Sequence, residues 1–353
     1  MVTWRDLSLP GSREVWRELR ALRAGITGPA QASGQRRAVF VAALEQAEQF
    51  TQAASAAGPA TRPVQVFYAL SQFGRALAAC SGRLGDGDWA SKGHGIGTRN
   101  LDARQGLALV EVVPSARGLL TTVARALGAE PLPPQVPLTL GQLWPLIPET
   151  ELAPLPGAMG LPALHFVLGG TILRDSALWS RLSLYPVPTE IRVRADTGTK
   201  VVDDFLRNYP TLDGWSHTPD VAETVLWRER GNGAAEELEV FLPTPFTSQD
   251  LGDSEAEALQ RATLYRSSKD AYAFPALPGM AGPVHPLLAW WALLFGLSIL
   301  ARYEPAAWAK IIDIDRSVSA SAVEHVLDQA LVAVPHVALL TIKDAAAEQV
   351  AGG

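Results

Sequence analysis

Between Pro286 and Leu300 the chain reads PLLAWWALLFGLSIL, an apolar run with no charge on any face, bounded by His285 and Arg302. A helix that is apolar all round has to be wrapped, either by the rest of the protein or by lipid. A bilayer span takes about 20 apolar residues, and this run is shorter, so it predicts a buried core helix. Pro286 fits the first helical position, where its missing N–H removes no bond, and sets the start of that helix. Trp290 and Trp291 lie inside the run and are expected in the core rather than in a base-stacking role.

At 353 residues the chain has room for one large domain or two ordinary ones, with enough apolar content for a conventional core. A single cysteine, Cys80, excludes an intrachain disulfide and a Cys-rich zinc site. That usage fits a reducing compartment, and a cytoplasmic location is expected. The first residues, MVTWRDLSLPGSREVW, are polar and broken by Pro and Gly, so no signal-peptide apolar region is read there. A net charge of -6 argues against broad adhesion to nucleic acid or anionic lipid, while leaving room for a local basic pocket.

Helical periodicity is read over Arg13–Arg23, Arg36–Ala57 and Val64–Ala79, the last being the most apolar and central. From Ser81 to Gln105 the periodicity gives way to a long Gly-rich polar stretch, a length at which loops are often functional. A strand is expected over Leu107–Val113, a helix over Pro114–Leu127, and a short helix over Leu140–Leu146. The texture then changes to strands: Ser180–Tyr185, Glu190–Ala195, Ala222–Arg230, Leu238–Leu242, and a hairpin over Ala262–Phe274 turning at SSKD, with one helix at Lys200–Tyr209 between them. Helices return at Pro286–Tyr303, Pro305–Ile312 and Ser319–Val332. The expected class is α+β, with helical N- and C-terminal parts packed together around one core and a mainly antiparallel middle insertion. The parts are 1–127, 128–275 and 276–342, with 343–353 a frayed tail.

The segment SKGHGIGTR, Ser91–Arg99, is the strongest chemical candidate. Gly93, Gly95 and Gly97 allow positive φ and close backbone approach, and Lys92, His94, Thr98 and Arg99 supply donors suited to an anion. It is neither a Walker A loop nor a dinucleotide-binding fingerprint, because the glycine spacing fits neither. The competing structural reading is a tight turn with His94 hydrogen-bonded into the core. A second candidate is Arg302, Tyr303 and Glu304, at the end of the apolar helix. Arg302 complements the helix dipole and Pro305 starts the next helix, or the three residues line a pocket with the glycine loop. Asp313 with Asp315, and Glu324 beside His325, lack metal-site spacing, so no metal is expected. No nucleophile motif surrounds Cys80, and no cofactor signature is present.

Three blocks resemble the YaaC-like protein family of bacteria: PVQVFYALSQFGRAL (Pro63–Leu77), SKGHGIGTRN (Ser91–Asn100) and HPLLAWWALLFGLSILARYEPAAW (His285–Trp308). In that family an apolar helix with a tyrosine pair precedes a loop ending HG-[IV]-x-T-R, and a late apolar helix ends in a RYEP-like motif. Here Phe67 precedes a single Tyr68. The resemblance implies that the glycine loop and Arg302–Glu304 form one site. A comparison with HEPN ribonucleases fails, because no arginine stands at the R-x4-6-H spacing before His94, His285, His325 or His336.

The resulting expectation is a cytoplasmic bacterial protein that binds a phosphate-bearing ligand, a nucleotide or a nucleic-acid end, through Lys92, His94, Thr98, Arg99, Arg302 and Tyr303. It would act as a sensor or accessory subunit, in a defence or nucleotide-related system, without membrane association. One alternative is a nuclease or nucleotide hydrolase with His94 as general acid/base and Glu304 as its partner. The other is a non-catalytic interaction subunit that exposes an apolar patch around Pro131–Pro148 to a protein partner.

Overall fold

The computed structural model describes residues 12–26, 28–85, 87–174, 177–195, 199–213, 225, 227–229, 236–241, 265–266 and 271–347. The chain divides into a helical unit, Pro10–Leu161 with Leu277–Met280 and Val284–Gly353, and a strand-rich unit containing Pro162–Ala276 and Ala281–Pro283. The α+β class is therefore met, with helices from both ends of the chain in one unit and the strands of the middle in another.

In the helical unit, α1 (Ser12–Ala24), α2 (Pro29–Ala32), α3 (Gly34–Ala56) and α4 (Arg62–Cys80) precede a small antiparallel sheet. That sheet joins β1 (Ile96–Asn100), β2 (Glu111–Pro114) and β3 (Leu138–Thr139) in the order β1-β2-β3, with α5 (Leu119–Leu127) and α6 (Leu140–Leu143) alongside it in sequence. After the strand-rich unit, whose described helices are α7 (Thr189–Ala195) and α8 (Lys200–Leu206), come α9 (Pro286–Tyr303), α10 (Pro305–Ile311) and α11 (Ala320–Ala347).

α4 is the hub of this unit, packing against α3, α5, α9 and α11. Its buried side chains include Phe67, Leu70, Phe73 and Leu77. A Cβ added to Gly74 of α4 would lie 2.6 Å from Cζ3 of Trp291 on α9 and 2.9 Å from Cγ2 of Val123 on α5. The missing side chain on α4 is thus the socket for an indole on α9. From Pro286 through Ser298 α9 is buried at every position, as its sequence requires, and Trp290 and Trp291 sit in the core. By length and composition α9 and Ala320–Ala346 of α11 could each cross a membrane, but 78% and 67% of their most apolar windows are buried. His285 caps α9, its Nδ1 accepting the Leu287 N–H at 3.1 Å.

Arg36 shows how an arginine is consumed by structure. Its buried guanidinium donates to the carbonyls of Ser81 (3.1 Å), Leu84 (2.6 Å) and Gly85 (3.1 Å), tying α3 to the segment after α4.

The strand-rich unit holds a six-stranded antiparallel sheet of order β6-β7-β5-β4-β9-β8, built on the hairpin of β4 (Leu164–Arg174) and β5 (Ala177–Tyr185). The others are β6 (Trp227–Glu229), β7 (Glu236–Phe241), β8 (Tyr265–Arg266) and β9 (Ala271–Ala273). Leu164, Phe166, Leu182, Leu184, Leu238 and Val240 share one face by register and are buried. The expected hairpin over Ala262–Phe274 is present as β8 paired with β9, and its SSKD turn lies outside the described residues. So does most of the expected strand over Ala222–Arg230, apart from β6.

Several sequence expectations are corrected. Glu190–Ala195 is helical, within α7 (Thr189–Ala195), because none of its side chains is buried and the Ile191 N–H instead closes a turn on the Pro188 carbonyl. The strand expected over Leu107–Val113 is confined to its end, since Gly106 at φ 124 starts a 3-10 turn at Leu107–Leu109. β1 lies inside the stretch expected to be a loop. α5 begins at Leu119, not Pro114, which closes β2. β4 was not expected at all, and a register shift between Leu168 and Gly170 marks the glycine pair that obscures it. α11 runs to Ala347 through Pro335, because burial of Val334, Val337, Leu339 and Ile342 outweighs the lost backbone bond. α8 (Lys200–Leu206) agrees with the expected helix. The stretch Pro131–Pro148 does not form an apolar patch: Leu132, Leu138, Leu140, Trp144, Leu146 and Ile147 are buried.

Two stability predictions follow from α9. Gly74→Ala overpacks the Trp291 socket and should cost about 1–3 kcal/mol in denaturant unfolding, whereas Gly97→Ala, with nothing within 4 Å of the added Cβ, should be tolerated. Burial lowers the His285 pKa from 6.5 to about 4. Its neutral ring therefore contributes stability fully above pH 6.5, and the contribution falls as pH drops toward 4, by about 3 kcal/mol at most. His285→Asn, which keeps a capping acceptor that does not titrate, should flatten that part of the pH–stability curve.

Candidate functional site

The glycine segment is held by the start of α5. The Leu119 N–H donates to the Gly93 carbonyl (3.1 Å), Leu120 N–H to the His94 carbonyl (3.1 Å) and Ser115 N–H to the Gly95 carbonyl (2.9 Å). Gly93 (φ 75) and Gly95 (φ 76) adopt the positive φ anticipated from sequence, while Gly97 lies in β1 and does not. A Cβ on Gly118 would sit 2.5 Å from the Gly95 Cα, and a Cβ on Gly95 would sit 2.8 Å from the Leu120 nitrogen. Two glycines in positive φ thus let two backbones touch, and the side chain fixed between Gly93 and Gly95 is His94.

His94 is turned onto α4 and α9. Its ring centroid lies 5.3 Å from Phe67, 6.3 Å from Tyr68 and 6.2 Å from Phe295. Its Nδ1 is buried without a hydrogen-bond partner, contrary to the structural reading in which the ring bonds into the core. Burial first, then the positive charges of Arg302 and Arg75, hold the imidazole below its ordinary pKa, so it is neutral at pH 7.

Arg302 reaches the same place from the end of α9. Its Nη1 donates to the Tyr68 hydroxyl at 3.4 Å and its Nε to the Ser298 carbonyl at 3.3 Å. Its guanidinium carbon is 5.9 Å from the Tyr68 ring centroid and 5.3 Å from that of Tyr303. Arg75 stands seven residues after Tyr68 and therefore on the same stripe of α4. Both arginines are half-buried or nearly so, and among the described residues neither has an ion-pair partner. Other arginines differ in this respect: Arg62 pairs with Asp328, Arg125 with Asp88 and Arg104 with Asp102.

The structure therefore brings His94 and Arg302 together, across Tyr68, and adds Arg75. Among the described residues none of the other sequence candidates makes a hydrogen bond or ring contact with His94. Lys92 is exposed. Thr98 is exposed opposite Val112, and Arg99, at a register shift in β1, is 3.9 Å from Glu111. Tyr303 is 65% exposed beside Arg302. Glu304 is exposed where α9 ends, its N–H on the Leu300 carbonyl and its own carbonyl accepting from Trp308. It makes no hydrogen bond to His94, and the charges that act most on His94 are both cationic.

Arg75 and Tyr68 were not named as site residues from sequence, although Arg75 is the one charged residue between Val64 and Cys80. His325 is accounted for structurally, its Nε2 bonding the Glu149 carbonyl at 2.8 Å. Asp313 accepts the Asp315 N–H in a turn, and no metal-binding cluster occurs among the described residues. Cys80 is buried, and burial pushes its thiol up to about 12, which makes it inert as a nucleophile.

The fold and this site define an α+β protein whose helical unit presents a neutral histidine flanked by two unpaired arginines. The chain belongs to the YaaC-like protein family, whose model matches residues 12–342. Neither a curated protein nor a solved structure matches it.

Replacing His94 separates its cost from its use. His94→Leu removes a buried nitrogen that has no partner and should leave stability unchanged or raise it by up to about 1 kcal/mol. Gly95→Ala, strained in φ and in contact with Leu120, should cost about 2 kcal/mol or more. Chemical denaturation of the two variants checks both statements.

Proposed function

We propose that this chain binds a phosphate-bearing ligand at Arg75, His94 and Arg302, as a sensor or accessory subunit rather than by turning the ligand over. One observation carries the reading: two partly buried guanidinium groups, neither with an ion-pair partner among the described residues, both act on a histidine whose buried Nδ1 has no hydrogen bond. Removing cations from water without compensation is costly, and a structure that needed them only for packing would pair them. A phosphate compensates such a charge, and Arg supplies the planar donor geometry that phosphate oxygens accept. His94 adds a ring nitrogen that can donate a hydrogen bond in one tautomer. Catalysis by His94 would call for a second acid or base beside it, and Glu304 is not held there.

The test is a binding titration with inorganic tripolyphosphate against wild-type protein and Met substitutions. Arg302→Met and Arg75→Met should each weaken binding about tenfold or more, the scale of a charge-assisted hydrogen bond. Arg104→Met, which removes an equal charge from an exposed pair, should change affinity little. Equal losses in all three variants, or no binding to the wild type, would reject the site.

A further inference from the structure

We propose that the ligand of this site is a nucleotide, its phosphate held on Arg302 and its base stacked on the open face of Tyr303. The proposal rests on the phosphate-binding reading above and adds the chemistry of what the phosphate is attached to.

The argument begins with how α9 ends. The helix is buried at every position from Pro286 to Ser298 and again at Leu300, then turns outward so that Tyr303 is 65% exposed. A single exposed aromatic is ordinary in itself. What sets Tyr303 apart is its neighbour: the guanidinium of Arg302, without an ion-pair partner among the described residues, lies 5.3 Å from its ring centroid and 5.9 Å from that of Tyr68.

The two rings differ in what they can still accept. Tyr68 is stacked on Phe50 at 5.6 Å and edges Phe67 at 6.0 Å, so its ring is already packed. Among the described residues the Tyr303 side chain makes no ring–ring contact and no hydrogen bond, and with the ring 65% exposed its face away from Arg302 is open to solvent. The guanidinium is similarly divided. Nε is on Ser298 and Nη1 on Tyr68, while Nη2 makes no hydrogen bond.

A phosphate on Nη2 would lie beside the exposed Tyr303 ring, and what the phosphate carries can reach that ring's open face. An inorganic phosphate would gain little from an aromatic face. A nucleobase gains stacking, which tolerates any base because every base presents a π-face. The overall charge of -6 opposes long stretches of nucleic acid, so the fitting species is one nucleotide, free or at the end of a strand.

The experiment is isothermal titration calorimetry on the full chain with inorganic tripolyphosphate, adenosine triphosphate and a 5′-phosphorylated single-stranded tetranucleotide. It compares the wild type with Tyr303→Phe and Tyr303→Ala. The wild type and Tyr303→Phe should bind at least one nucleotide-bearing ligand about tenfold tighter than tripolyphosphate. Tyr303→Ala should erase that preference and leave tripolyphosphate affinity unchanged. Tighter binding of the triphosphate marks a free nucleotide as the source, and tighter binding of the oligonucleotide marks a strand end. If tripolyphosphate binds as well as both others, or if Tyr303→Ala weakens all three alike, the nucleotide assignment fails while phosphate binding stands. If none of the three binds, the phosphate reading fails with it.

Discussion

The helical unit depends on the contact between α4 and α9 at Gly74. Without a side chain there, the ring of Trp291 lies against the α4 backbone, and an added methyl would fall inside van der Waals contact with it. That approach allows Phe67 to meet both Trp291 and Phe295. It also sets the C-terminal end of α9 beside Tyr68, which is how Arg302, far away in sequence, comes to share a neighbour with His94. The second close approach, Gly95 against Gly118, does the same for the loop: it fixes His94 against the exposed end of this helix pair. Both contacts depend on absent side chains, and together they assemble the site.

Much of this was legible in the sequence because the physics was local. An apolar run too short for a bilayer and opening with His285-Pro286 specified a buried, capped helix, and α9 is one. Glycines alternating with donors specified an unusual loop, and two of the three adopt positive φ. Where burial depends on distant partners the sequence was mute. EIRVRA alternates like a strand yet has no sheet to lie on, and becomes α7. Pro335 signals a stop that the packing of α11 overrides. In the site, Arg75 could have been noticed as a lone charge on an apolar helix, but its link to His94 appears only once α4 and the loop are folded together. Lys92, Thr98 and Arg99, named as donors in the glycine segment, are exposed.

The strand-rich unit repeats the lesson about buried polarity in a different form. The face of its sheet opposite the leucine-rich side carries His165, Ser183, Glu237 and Glu239, all buried, with Arg181 3.5 Å from Glu239. Here the cation has a carboxylate beside it, as buried charges ordinarily do. Arg75 and Arg302 depart from that rule, and the functional reading follows from the departure.

The most direct test is the titration of His94 by NMR, with and without added inorganic tripolyphosphate. In the free protein, burial and the two arginines should hold the ring below the ordinary histidine value of 6.5. A bound polyanion neutralises those charges and should raise the pKa, so that binding takes up protons and tightens as the pH falls between the two values. The shift should be lost in Arg302→Met. A His94 that titrates at its ordinary value, unmoved by tripolyphosphate, would contradict the account at its centre.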